Sequence, residues 1–162
     1  LTFECTKLAD PSWLYRCILP NGPLATSLES ISVDGSDWFD DEACFYVSHC
    51  KNLTSFSVGK SSISIEGICV VLKGCGKLRR FYLKEYECDQ DLSQAFKELA
   101  ENNKAIQTIL VKGCEAFNDQ CLEYLMQEDA CPELQELLVS RSTCTEEKIN
   151  EFRHKRPDVA LY

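Results

Sequence analysis

An apolar pattern, Leu-x-x-Leu-x-Leu with Ile, Phe or Val at some positions, recurs five times and limits the possible folds more than any other feature. The five copies are Leu28-x-x-Ile31-x-Val33, Leu53-x-x-Phe56-x-Val58, Leu78-x-x-Phe81-x-Leu83, Ile106-x-x-Ile109-x-Val111 and Leu134-x-x-Leu137-x-Val139. Their first residues are 25, 25, 28 and 28 positions apart. Such a repeat predicts a stack of similar units, because each unit buries its apolar face against the next.

Each copy predicts a short strand that is followed by a loop and a helix. A period of about 20–29 residues with this consensus is typical of leucine-rich repeats. Leu92, Phe96 and Leu99 then recur at helical spacing, and Thr145 before two glutamates predicts a helix N-cap. The predicted fold is therefore an α/β solenoid, a leucine-rich repeat stack with a short parallel sheet of five to six strands on the concave side and helices on the convex side.

The length and composition favour a single domain. With 162 residues, of which 44% are hydrophobic, the chain can bury one continuous core. We predict about five leucine-rich repeats over residues 28–162, with a C-terminal capping strand at residues 159–162. Residues 1–27 are predicted to form an N-terminal cap or a partial repeat.

The eleven cysteines predict buried, free thiols. An odd count disfavours a disulfide framework, and the sequence contains no Cys-x-x-Cys pair for zinc. Cys50, Cys75 and Cys131 instead occupy one place in the repeat, just before the next strand, and Asn103 takes that place in the third copy. Cysteine used as a small apolar residue is typical of a reducing compartment, so we expect an intracellular protein, cytoplasmic or nuclear.

Charge and motif content exclude several classes of function. A formal net charge of −9 argues against general affinity for nucleic acid or an anionic membrane, and no apolar run approaches the roughly 18 residues of a membrane span. The two histidines, His49 and His154, are about four repeats apart, and the sequence has neither a glycine-rich phosphate loop nor a His-Glu-x-x-His motif. We therefore predict a non-enzymatic protein without a cofactor or a metal ion.

A partner-binding site is predicted on the strand residues that point away from the helices, because strand residues alternate between the two faces of a sheet. Aligning the copies places Tyr82, Leu110 and Leu138 side by side. Four cationic residues border this apolar strip: Arg79, Arg80, Lys84 and Lys112. An apolar strip with a cationic edge predicts binding to another protein, through an acidic or phosphorylated segment with an apolar anchor.

The fourth copy resembles the cysteine-containing leucine-rich repeat of F-box proteins. The similarity lies in Val111-Lys112-Gly113-Cys114, in Phe117-Asn118-Asp119-Gln120-Cys121-Leu122 and in Cys131-Pro132. In that family a separate F-box binds the ubiquitin-ligase core and the repeats hold the substrate. The resemblance thus implies the substrate-binding repeat domain of a ubiquitin-ligase receptor.

A second resemblance implies a different role. Trp13-Leu14-Tyr15-Arg16-Cys17, Leu19-Pro20-Asn21-Gly22-Pro23-Leu24 and Asp119-Gln120-Cys121-Leu122 are similar to segments of mitochondrial ATP synthase coupling factor B. This alternative implies a mitochondrial structural subunit or assembly factor of an inner-membrane complex. The sequence leaves both roles open.

Overall fold

Seven parallel strands form a single sheet in the computed structural model, which describes residues 2–5, 16–17, 22–36, 38–61, 63–86 and 90–162. The strands are β1 Thr2–Cys5, β2 Ser30–Asp34, β3 Ser55–Gly59, β4 Arg80–Lys84, β5 Thr108–Lys112, β6 Glu136–Ser140 and β7 Ala160–Leu161. Their order in the sheet follows the chain, and each neighbouring pair is parallel. The α/β class with a parallel sheet is confirmed. The predicted count of five to six strands was too low, because β1 adds a strand beside β2.

Five helices of the described residues lie between the strands from β2 onward. They are α1 Asp41–Val47, α2 Ile65–Gly74, α3 Ser93–Asn102, α4 Asp119–Leu125 and α5 Glu146–Lys155. Each helix contacts the next one along the chain. Because the strand order never reverses and such crossovers have one hand, the helices share one face of the sheet. None of these helices is both long and apolar enough to cross a membrane.

The strand register matches the alignment of the five sequence copies. Ile31, Phe56, Phe81, Ile109 and Leu137 are successive partners across β2 to β6, and each is fully buried. In β2, β4 and β5 the second and fourth residues are buried and the others are more exposed. In β3 all five residues are buried, a departure from alternation that matters for the site.

Side-chain caps fix where four of the helices begin. Asp40, Ser64, Asn118 and Thr145 each accept a hydrogen bond from a backbone N–H in the first turn, an interaction that stabilises a helix by about 1 kcal/mol. The predicted N-cap at Thr145 is thus confirmed. The Asp119 carboxylate also accepts from the Thr145 backbone N–H and hydroxyl at 2.7 and 2.8 Å, so neighbouring caps are linked.

One position of the repeat links the end of each helix to the end of the preceding helix. It is occupied by Cys50, Cys75, Asn103 and Cys131. The Cys75 thiol lies 3.7 Å from the Cys50 carbonyl oxygen, and Asn103 Nδ2 donates to the Cys75 carbonyl at 2.9 Å. Both side chains are fully buried. Cysteine and asparagine interchange here because each can donate to a carbonyl of the turn below. Nine of the cysteines in the described part of the chain are free thiols: Cys17, Cys44, Cys50, Cys69, Cys75, Cys114, Cys121, Cys131 and Cys144.

Arg156 takes the next such place, 25 residues after Cys131. Its guanidinium donates to the carbonyl oxygens of Leu125, Ala130 and Cys131 at 3.0, 3.1 and 3.3 Å. Arg156 and Asn103 also share one backbone conformation, with ψ of 62° and 67°. Arg156 thus closes the last unit onto the one before it.

Most of residues 1–27 lie outside the described part of the chain. Only β1, Arg16–Cys17 and residues 22–27 belong to it. Residues 13–15 and 19–21, which contribute to the resemblance to coupling factor B, are among those not described.

Candidate functional site

The face of the sheet that points away from the helices, called the open face below, presents the first, third and fifth residues of the strands. Its middle row is Ser32, Ser57, Tyr82, Leu110 and Leu138, which are successive register partners across β2 to β6. Tyr82, Leu110 and Leu138 are each partly exposed. The sheet therefore places the three predicted apolar residues side by side.

Below the open face, a line of phenylalanine rings packs the sheet against the helices. Phe56 and Phe81 stack at 6.3 Å between ring centroids. Phe81 then contacts Phe96 at 6.4 Å, and Phe96 contacts Phe117 at 4.9 Å. All four rings are fully buried. Close packing of this kind holds the strands, and hence the rows of the open face, in fixed positions.

One end of the open face contains a cleft of about 330 Å³, called the serine cleft below. It is lined by Thr2, Ser30, Ser32, Ser55, Ser57, Arg80, Tyr82 and Lys84. Ser55 and Ser57 are each 6% exposed, so they form its floor. Sequence reasoning missed these hydroxyls as site residues. The signal was available, since serine occupies both the first and the third positions of β2 and of β3.

The other end of the open face is an apolar groove of about 250 Å³. Leu110, Leu138 and Tyr162 line it together with Val111, Lys112, Val139 and Ser140. Tyr162 is 71% exposed, and the repeat pattern of the sequence did not predict it as a site residue. The predicted strip thus has two parts, because Tyr82 lines the serine cleft while Leu110 and Leu138 line the apolar groove.

Arg80 and Lys84 are the cations that line the serine cleft. Within the described part of the chain, neither side chain makes an ion pair or a hydrogen bond. Lys84 Nζ lies 6.0 Å from the centroid of the Tyr82 ring, so the ammonium group is held over the middle row. Arg79 is exposed just before β4 and is not among the lining residues of either cavity. The predicted residue Arg79 therefore lines neither the serine cleft nor the apolar groove.

Lys112 has a different environment from the other two cations. The Glu85 backbone N–H donates to the Lys112 carbonyl at 2.6 Å, and the Glu85 carboxylate pairs with Lys60 at 2.7 Å. The hydrogen bond from Lys60, with smaller contributions from the charges of Lys112 and Arg141, lowers the pKa of Glu85. The field of Lys112 is thus partly offset by a neighbouring carboxylate.

Carboxylates stand at both sides of the cationic strands. Asp34 is the last residue of β2. Its Oδ1 lies beside Gly59, so close that a Cβ atom added to that glycine would be 2.9 Å away. Glu136 begins β6, in the same row as Arg80 and Thr108. Positive charge on the open face is therefore concentrated on β4 and β5.

The adjacent His49 and Cys50 do not form a nucleophile and base pair. His49 Nδ1 lies 2.9 Å from the Phe45 carbonyl oxygen, so that nitrogen serves as a donor. Burial raises the pKa of the Cys50 thiol to about 11, which keeps it protonated at neutral pH. No group of three or more possible metal ligands occurs among the residues that the structure describes.

Comparison with models of known protein families and with curated protein sequences finds no match. The resemblances to F-box proteins and to coupling factor B therefore stay predictions, as do the cellular locations that they imply.

Proposed function

We propose that this chain is a leucine-rich repeat solenoid that binds another protein on the concave face of its sheet and catalyses no reaction. Support for the solenoid comes from the monotonic strand order and from the agreement between the repeat and the register. The fully buried thiols suit a reducing compartment, so we place the protein inside the cell.

The observation on which this proposal depends is the row of three partly exposed apolar side chains beside cations that make no ion pair with the described residues. Isolated exposed leucines or tyrosines are ordinary on protein surfaces. Tyr82, Leu110 and Leu138 are instead adjacent on a rigid sheet, and Tyr162 extends the apolar surface. A central aromatic and aliphatic cluster with a charged rim is the usual composition of a protein-binding surface.

The partner is proposed to present an acidic or phosphorylated segment with an apolar anchor. Arg80 and Lys84 favour negative charge at the serine cleft, while the apolar groove at Leu110 favours the anchor. Asp34 and Glu136 would repel an acidic segment that shifted sideways, so they help to fix its position. If the resemblance to F-box proteins holds, this segment belongs to the substrate of a ubiquitin-ligase receptor.

A photo-crosslinking residue at defined positions tests which face binds. The residue p-benzoylphenylalanine would replace Leu110 on the open face or, as the matched control, Glu101, which is exposed on α3. The proposal predicts a crosslinked protein with the probe at Leu110 and none with the probe at Glu101. Crosslinking at position 101 alone would assign binding to the helices and overturn the proposal.

A further inference from the structure

We propose that the serine cleft is a phosphate-binding subsite, which takes a phosphorylated side chain of the protein partner. This inference rests on the proposed function and specifies the chemistry at one end of the same face. It depends on three features: two serine hydroxyls that make no hydrogen bond with the described residues, two cations that make no ion pair with them, and the apolar groove that continues the row of Ser57.

The hydroxyls of the floor are the first feature. Ser55 and Ser57 are 94% buried, they line the cleft, and neither side chain forms a hydrogen bond with the described residues. Neither hydroxyl oxygen is among the fully buried polar atoms without a partner, so both are open to the cleft and can bond a ligand there. Tyr82 and Leu110 occupy the positions equivalent to Ser57 on the next two strands, so the fold accepts large side chains in this row. Serine at these positions leaves space and supplies donors for a ligand.

The cations are the second feature. Arg80 pairs in register with Ser55, and Lys84 pairs with Gly59, one strand away from the floor. Tyr82 lies between them, and Lys84 reaches back to within 6.0 Å of its ring. A guanidinium binds phosphate oxygens through two parallel hydrogen bonds, and an ammonium group adds a point charge. Two hydroxyls and two cations therefore converge on one cavity.

This number of donors favours phosphate over a carboxylate. A phosphorylated side chain has a charge of about −1.5 to −2 and three strong acceptor oxygens, whereas a carboxylate has one charge and two oxygens. The cleft volume of about 330 Å³ lies at the low end of the roughly 300–1,000 Å³ that is usual for small-molecule pockets. A nucleic acid is disfavoured, because the net charge of −9 repels a long polyanion.

The apolar groove sets the spacing of the recognised segment. Ser57 and Leu110 are two strands apart in one row, which corresponds to about 10 Å. An extended chain covers that distance in about three residues. The partner segment is thus proposed to have a phosphorylated residue with an apolar residue about three positions away.

The test uses the folded protein, labelled with ¹⁵N, and small probes titrated by NMR. The probes are the blocked phosphoserine, phosphothreonine and phosphotyrosine amino acids, with blocked glutamate as the carboxylate control. The proposal predicts amide shifts confined to β3 and β4 for at least one phosphorylated probe, with competition by inorganic phosphate. Binding of glutamate as strong as that of every phosphorylated probe, or shifts confined to other elements, would overturn it.

Two substitutions and one control link the binding to the cleft. Arg80→Gln and Ser57→Ala should each lower the affinity for the phosphorylated probe. For Arg80→Gln we expect a loss of about tenfold. Arg79→Gln removes the same charge from the neighbouring residue outside the cleft and should leave binding unchanged. Ser57→Ala breaks no hydrogen bond within the described residues, so the variant should keep its fold, and its amide spectrum verifies this. Equal losses in the two arginine variants would contradict the site.

Two further measurements separate this inference from the proposed function and from a lipid ligand. If phosphatase treatment leaves the crosslink at position 110 intact, the open face binds a protein without phosphate recognition, and only the inference fails. Vesicles of phosphatidylcholine with and without a phosphoinositide serve as the lipid probe. Arg80-dependent binding to phosphoinositide vesicles, stronger than to every phosphorylated amino acid, would assign the cleft to a membrane and overturn the inference.

Discussion

Replacing Arg156 tests whether the last unit is held by a fork of hydrogen bonds or only by charge. The side chain is 13% exposed and donates to three backbone carbonyls, at distances from 3.0 to 3.3 Å. It also pairs with Asp158 at 3.0 Å and so lowers the pKa of that carboxyl. A hydrogen bond from a charged group contributes about 1.5–3 kcal/mol. Because the Arg156 side chain is partly exposed, water can replace part of this stabilisation.

From these contacts we expect Arg156→Ala to lower the free energy of unfolding by about 2–4 kcal/mol. Arg156→Lys keeps the charge but can reach only some of the carbonyls, so we expect a loss of about 1–2 kcal/mol. Arg153→Lys makes the same change on an exposed side chain of α5 and should stay within about 0.5 kcal/mol.

Urea denaturation with linear extrapolation measures these differences. Hydrogen exchange adds a local readout, because the Ala160 amide that donates to the Gln135 carbonyl at 2.8 Å should exchange faster in the weakened variants. An Arg156→Lys variant as stable as the parent protein would refute the fork. An Arg156→Ala variant with no loss would refute the closing role altogether.

Three further predictions concern the core, the thiols and the open face. Leu122→Ala should destabilise by about 2–5 kcal/mol, because this α4 side chain is 1% exposed; an unchanged urea midpoint would contradict its place in the core. Burial raises the pKa of the Cys75 thiol to about 12, whereas unfolded thiols titrate near pH ~8.5. The free energy of unfolding should therefore keep its full value below the pKa of the unfolded thiol and fall as the pH rises toward 12. Urea denaturation in reductant measures this fall, which should be smaller in Cys75→Ala. Charge reversal at Arg80 and Lys84 should mainly slow association with the partner and reduce its salt dependence, while Tyr82→Ala should mainly speed dissociation, as stopped-flow binding would show.

The strands and their register could be predicted because the repeat is strong and strand residues have a period of two. Five copies with fixed apolar positions leave one alignment, and the pairing of Phe56 with Phe81 and then Ile109 follows from it. The helix start at Thr145 was also predictable, since its cap depends on residues within one turn. These features are local or periodic, which is why a single sequence reveals them.

Other features depend on how distant residues meet, and the sequence does not show that. The strand β1 has only two apolar positions of the consensus, Phe3 and Cys5 opposite Ile31 and Val33, and was found only through its pairing with β2. The near-complete burial of Ser55 and Ser57 reflects the side chains around them and not their own polarity. Arg156 lies 25 residues after Cys131, but its residue type gave no structural signal, because a basic residue at a helix end is equally typical of the helix dipole.

The most direct test of binding on the open face is the affinity of the partner for a protein with Tyr82, Leu110 and Leu138 all changed to serine. The three side chains are partly exposed, so the variant should fold, and its urea midpoint and amide spectrum verify this. A partner recovered by pull-down with the parent protein would be titrated against the parent protein and the variant by calorimetry. Binding on the open face predicts a loss of at least about a hundredfold in affinity, as truncation of a central apolar cluster produces. Unchanged affinity in a folded variant would contradict it and would assign recognition to the helices or loops.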